Sequence, residues 1–245
     1  MIRTLAVTAA IGAVLVIPRQ ETVTSRATAA ADAVLARHLT ARGGLAAWSA
    51  VRAVRRTSRL YAFEFVATWV RPDAFRLDQR DGDSGRFETR VVRGNDGWTV
   101  SSEHAAPRAL GAPELAVLRE EAAAGFEVFL LAALGGTASS AGEETSGGRV
   151  SDRLVLRLAS GREIVLLIDR ETGREVARVR ADVAPDGALQ QTRLLPSAWR
   201  ALGSVQFAHA VGEASYEWEL DPAIPPGFFT RPGGVAPGDR PPAAR

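Results

Sequence analysis

Six aromatic side chains are the residues of this sequence best suited to bind something. Tyr61, Phe63, Phe65 and Trp69 alternate with smaller or polar neighbours along one run, and Tyr216 and Trp218 do so along a later one. A period of two puts such residues on one face of a β-strand. Wide aromatic surfaces then hold methylene groups with few rotors to freeze. These six residues are candidates for lining a cavity that takes an alkyl chain. The competing reading is ordinary packing against helices, which is the commoner fate of buried aromatic rings.

Other chemistries find no footing. His38, His104 and His209 lie at no spacing that metal ligands use, and no HExxH pair occurs. The chain has no cysteine, so disulfides, thiolate nucleophiles and cysteine-ligated zinc or iron-sulfur clusters are all excluded. No Gly-x-Ser-x-Gly elbow is present, and the acids Glu120, Glu121, Glu143 and Glu144 read as surface charges. Gly94-x-x-Gly97 is a turn between strands, and Gly135-Gly136 lacks the following Lys of a phosphate loop. No catalytic residue, metal site or cofactor is expected, and the chain does not read as an enzyme.

The elements that must position the aromatics can be read from composition and period. With 245 residues, 46% hydrophobic and 24% charged, the chain is globular and has room for one ordinary domain or two very small ones. All 30 basic residues are Arg, set among 28 acidic ones for a net charge of +2. They form no basic stripe interleaved with aromatics, so nucleic-acid binding is not expected.

Arg3 followed by the uncharged run Leu5 to Ile17 has the form of a signal-peptide core, shorter than the roughly 20 residues a membrane-spanning helix needs. Ala27-Thr28-Ala29 offers small residues for cleavage. Residues 1–29 are therefore expected to be a signal peptide, with an uncleaved N-terminal anchor as the alternative, and the mature protein to be periplasmic. Without a Cys after the apolar core, lipid attachment of the bacterial lipoprotein kind is excluded. Residues 231–245 are rich in Pro and Gly and read as a disordered tail. The folded body is placed at residues 30–230.

Within it, helical period predicts helices over Ala30–Ala41, closed by Gly43-Gly44, and over Leu45–Val51. A meander follows, with strands over Leu60–Val70, Ala74–Gln79, Gly85–Arg93 and Trp98–Ser102. Pro113–Leu134 reads as two short helices and Thr137–Gly148 as a loop of small residues. Strands resume at Val150–Ala159, Arg162–Asp169, Arg174–Asp182, Ala188–Leu195, Ser204–Val211 and Ala214–Leu220. The expected fold is α+β: one curved antiparallel sheet of about ten strands, an incomplete β-barrel, with short helices covering its concave face.

The order of these elements resembles the outer-membrane lipoprotein-sorting (LolA/LolB-like) superfamily. The features that carry the likeness are the helix ending His38-Leu39-Thr40-Ala41-Arg42-Gly43-Gly44, the turn Gly94-Asn95-Asp96-Gly97-Trp98, the helical insertion, the hairpin with Asp169 and Thr172-Gly173, and the closing Pro226-Gly227-Phe228-Phe229. The resemblance spans about Ala30 to Pro232. It implies a half-barrel around helices with an apolar cavity for acyl chains, although the lipid-bearing Cys of the LolB-like branch is absent. It also implies that an inward Arg can latch the covering helix. Arg56, Arg59, Arg76, Arg90, Arg157 and Arg178 lie on or beside predicted strands, with a solvated outer face as the alternative.

The function this reading predicts is that of a monomeric periplasmic carrier or binding protein. Its cargo would be an acyl chain, lipoprotein or other hydrophobic ligand or lipid. The alternative is a cell-envelope interaction or sensor module whose cavity is self-filled and which binds a membrane-protein partner.

Overall fold

The computed structural model describes residues 26–124, 136–146, 148–158, 161–183 and 189–233. Helix α1 (Arg26–Ala41) and the short α2 (Gly44–Ala50) open the described chain. Six strands follow: β1 (Ala53–Leu60), β2 (Phe63–Val70), β3 (Ala74–Asp81), β4 (Phe87–Arg93), β5 (Asp96–Ser101) and β6 (His104–Ala109). Helix α3 (Ala112–Ala124) then precedes β7 (Gly136–Ser146), β8 (Arg149–Leu158), β9 (Glu163–Asp169), β10 (Glu175–Val183) and β11 (Leu189–Leu194). The last strands are β12 (Pro196–Leu202), β13 (Val205–Val211) and β14 (Ala214–Leu220).

The strands form two antiparallel sheets. The larger runs β12-β13-β14-β1-β2-β3-β4-β5-β6, and the smaller runs β11-β10-β9-β8-β7. The architecture is an α+β incomplete barrel, since neither sheet closes on itself. It differs from the single sheet of about ten strands expected from sequence, because β11 ends one sheet and β12, immediately after it, begins the other.

Four strands escaped the sequence reading. Three of them, β6, β7 and β12, are sheet edges. An edge strand is held by backbone hydrogen bonds to a single neighbour and needs little apolar alternation. The segment expected to be a loop at Thr137–Gly148 is thus largely strand β7, paired along β8 with a register shift between Ser140 and Glu143. The fourth, β1, lies inside the large sheet, where Arg55 and Arg59 form cross-strand ion pairs with Glu219 and Glu64.

Each sheet has its own core. On the small sheet, Ala31, Val34 and Leu35 of α1 pack on Leu154, Leu156, Ile164, Leu166 and Ile168. Arg37 of α1 and Arg170 both ion-pair with Asp152 of β8. Burial acts to raise the Asp152 pKa, but these two guanidinium groups outweigh it and hold the carboxyl below the usual range. On the large sheet, Trp48 of α2 is fully buried against Phe207, and Leu118 and Ala122 of α3 join Trp69 and Phe75 in the same cluster.

Gly43 joins α1 to α2 at a φ of 109°, and a Cβ there would lie 2.1 Å from the Ser204 carbonyl oxygen. Only glycine combines that conformation with that approach. On the convex face, the closing segment straps across the sheet: Arg76 donates to the Phe228 carbonyl at 2.8 Å, and Trp98 Nε1 donates to that of Phe229 at 3.3 Å.

The second of the two helices expected within Pro113–Leu134 falls on residues 125–135, outside the described residues. So do residues 1–25 and the tail from residue 234. Arg26 to Ala29, placed with the signal by sequence, belong to α1.

Candidate functional site

The concave face of the large sheet is built in cross-strand rows fixed by register. One row, Val54-Trp69-Phe75-Val92, is buried in the core. The next, two residues along each strand, is Trp218-Arg56-Ala67-Leu77-Arg90. The third is Tyr216-Ser58-Phe65-Gln79-Glu88. The face therefore passes from apolar to mixed to polar, because strand periodicity keeps alternate residues together and cross-strand pairing aligns them.

Over the middle row lies a cleft of about 480 Å³, within the range of about 300–1,000 Å³ typical of small-molecule sites. The large sheet forms its floor. Residues of β9, β10 and β11 form the opposite wall, and Val117, Leu118, Glu120 and Glu121 of α3 cover one side. The aromatic surface is continuous: the Trp218 ring lies 4.4 Å from that of Phe207 and 6.4 Å from that of Trp69, which in turn lies 5.3 Å from Phe75.

Charge is also concentrated here. Six arginines and three glutamates line the cleft. Glu120 pairs with Arg162 at 2.6 Å, Glu121 with Arg180 at 3.4 Å, and Glu175 with Arg178 at 2.6 Å. Arg90 is held by Glu88, and Arg42 donates from Nε to the Gln206 carbonyl at 2.7 Å while stacking over Trp199. The guanidinium of Arg56 lies over the rings of Tyr216, Trp69 and Trp218, at 4.6, 5.3 and 5.7 Å from their centroids.

Of the six aromatics singled out by sequence, Trp69, Tyr216 and Trp218 meet in this lining; Tyr61, Phe63 and Phe65 do not belong to it. Phe63 and Phe65 share the concave face with Trp69, as alternation predicts, but it is Trp69 that meets α3, through its hydrogen bond to the Glu121 carbonyl. Phe65 is half-buried and Phe63 is 38% exposed. Tyr61 is not on the strand: it sits in the β1–β2 turn at a φ of 53°, 79% exposed, with its hydroxyl 2.7 Å from a Glu213 carboxylate oxygen.

Among the candidate arginines, Arg56, Arg90 and Arg178 face the cleft, Arg59 and Arg157 are exposed, and Arg76 lies under the closing segment. Sequence reading missed Trp199 and the acids of α3. Trp199 stands on an unrecognised edge strand, and Glu120 and Glu121 look like surface acids until the smaller sheet supplies Arg162 and Arg180. Among the described residues, no group of three or more His, Asp or Glu side chains is placed to hold a metal. No described helix is long and apolar enough to cross a membrane.

No family model matches the sequence, and no curated protein matches it either. Solved structures do match in three dimensions. A LolA superfamily protein from Nitrosomonas europaea superposes with a TM-score of 0.52 at 10% identity, covering 83% of this chain and 98% of the other. A putative outer membrane lipoprotein-sorting protein domain from Vibrio parahaemolyticus gives 0.50 at 10% identity, over 84% and 98%.

The chain has a LolA-like fold. A DUF1329 family protein from Desulfovibrio piger matches it equally well, with a TM-score of 0.52 at 12% identity over 83% of this chain and 98% of that one. The LolA-like half-barrel explains why a cleft exists at all. An open curved sheet has a concave face that α2 and α3 cover only in part, and the volume left over falls between the sheets and α3.

Proposed function

We propose that this protein is a periplasmic carrier or binding protein that holds a hydrophobic ligand, an acyl chain or the acyl group of a lipoprotein, between the curved sheet and its helices. The observation that carries the reading is the open cleft of about 480 Å³ floored by Trp69, Tyr216 and Trp218. Binding there is burial of apolar surface, worth about 25 cal/mol per Å² before the cost of immobilising the ligand. No chemical step is needed. Release follows movement of α3 or capture by a partner with higher affinity.

A second reading, the envelope interaction module that binds a membrane-protein partner, draws on a different feature. Tyr61, Phe63 and Phe87 are exposed near the same end of the large sheet, where Phe63 pairs with Asp81 and Phe87 with Arg80. Native mass spectrometry of protein purified from its own envelope, followed by lipid analysis of the extract, separates the two. A co-purifying acyl species lost in Trp218→Glu and Tyr216→Glu, each folded by circular dichroism, and kept in Phe63→Glu supports the carrier. A bare mass with no uptake of a fluorescent fatty acid favours the partner-binding module.

A further inference from the structure

We infer that the ligand of this cleft is an amphiphile with one anionic head group, a carboxylate or a phosphate monoester, seated against Arg56. The inference rests on the carrier reading and names its ligand class. Arg56 stands in the middle of the concave face, in register with Trp218 on one side and Ala67 on the other. The carboxylates that line the cleft are already engaged, since Glu120, Glu121 and Glu175 each meet an arginine from the small-sheet side; Glu88, on the same face beyond the lining, serves Arg90. Among the described residues no carboxylate pairs with Arg56. Its Nε is buried without a hydrogen-bond partner, and its charge is held over three aromatic rings.

A buried donor with no acceptor is costly, and native proteins keep few of them without a reason. Aromatic faces attract a cation but accept no in-plane N–H, so they hold the guanidinium flat and leave its fork of donors to an incoming group. Carboxylate and phosphate oxygens match that fork. A simple inorganic anion would not use the rest of the site, because the rings beside Arg56 are Trp69, Tyr216 and Trp218, and Phe75 and Leu77 extend the apolar lining across β3. A molecule that satisfies both has an anionic end and an apolar body.

The test uses the full chain and four probes with the same lauryl chain: laurate, lauryl phosphate, neutral lauryl maltoside and cationic lauryl trimethylammonium. Isothermal titration should show at least one anionic probe binding about tenfold or more tighter than the neutral one, with the cationic probe weakest. Whichever anionic probe binds tighter names the head group. In Arg56→Gln the ratio of anionic to neutral affinity should fall toward one, and Arg56→Lys should restore part of it.

Should Arg56→Gln fail to fold, the Arg56 Nε–H resonance of arginine-labelled native protein, assigned with Arg56→Lys, should shift on adding the anionic probe and not the neutral one. Equal binding of neutral and anionic probes overturns the head-group inference and leaves the carrier reading in place. An anionic preference that survives in folded Arg56→Gln overturns the assignment to Arg56. Binding of no probe at all overturns the carrier reading and the inference with it.

Discussion

The indole Nε1 of Trp69 donates a 2.8 Å hydrogen bond to the backbone carbonyl of Glu121, tying the concave face of the large sheet to the helix that covers it. The ring itself is buried against Phe75, so one side chain both fills the core and anchors α3. Trp69→Phe keeps the ring and deletes the donor. It should lower stability by about 1 kcal/mol, raise amide exchange along α3 more than along β2, and speed dissociation of a bound fatty-acid probe. Uniform loss of protection in both elements would contradict the anchoring role.

Glu175 is 1% exposed, and its two carboxylate oxygens accept from the Arg178 guanidinium at 2.9 and 2.6 Å. Deleting one member of such a pair leaves a buried charge undercompensated, whereas replacing both removes the problem along with the attraction. Arg178→Met should therefore cost about 3–5 kcal/mol in urea denaturation. The double variant Glu175→Leu with Arg178→Met should recover a large part of that loss. If the two effects simply add, the pair is not the coupled unit its geometry describes.

Glu114 governs how the start of α3 responds to acid. Arg108 donates to it at 2.9 and 2.7 Å, and the Gly111 backbone N–H does so at 2.9 Å. The Arg108 bonds first, then the Gly111 N–H, hold its pKa at about 2 against an ordinary 4.5. Because the folded value is the lower one, the stabilisation is full above about pH 4.5 and disappears as pH falls through 2. Glu114 is half-exposed, so solvent screening keeps the effect below about 1 kcal/mol. Melting curves of the native protein and Glu114→Gln should differ most above pH 5 and converge near pH 2. A constant gap across that range would refute the assignment.

Gly43 is the point where α1 and α2 meet the β12–β13 turn. Gly43→Ala adds a methyl group 2.1 Å from the Ser204 carbonyl at a φ of 109°, and strain of this kind costs about 1–3 kcal/mol. Reduced thermal stability should accompany loosening of Trp48, whose Nε1 donates to the Arg42 carbonyl at 2.9 Å. A shift in the fluorescence of the folded variant relative to the native protein would report it. Gly44→Ala is a control for glycine replacement without a clash, since its Cβ would meet nothing within 4 Å.

The sequence by itself determined that strands dominate, where most of the central ones lie, and which aromatics share a face. Phe63, Phe65 and Trp69 do point the same way, because alternation is a local property that pairing cannot alter. It also determined the helix stop at Gly43-Gly44, where the backbone takes the left-handed conformation glycine permits. Composition excluded thiolate and disulfide chemistry outright.

The tertiary structure decided which part of that aromatic face is covered, and so which residues can line a site. Trp69 is buried and Phe63 exposed on one strand, with α3 hydrogen-bonded to that strand at Trp69, and nothing in the local sequence states where a covering helix docks. It also decided the edge strands β6, β7 and β12, which owe their form to a single neighbour's backbone and not to their own side chains. The charges of the cleft were decided the same way. Glu120 and Glu121 find Arg162 and Arg180 across long stretches of chain, Glu175 finds Arg178 along its own strand, and Arg56 faces three rings. Partners distant in sequence meet only when the chain has folded, so the setting of Arg56 over its three rings could be recognised only in the folded chain.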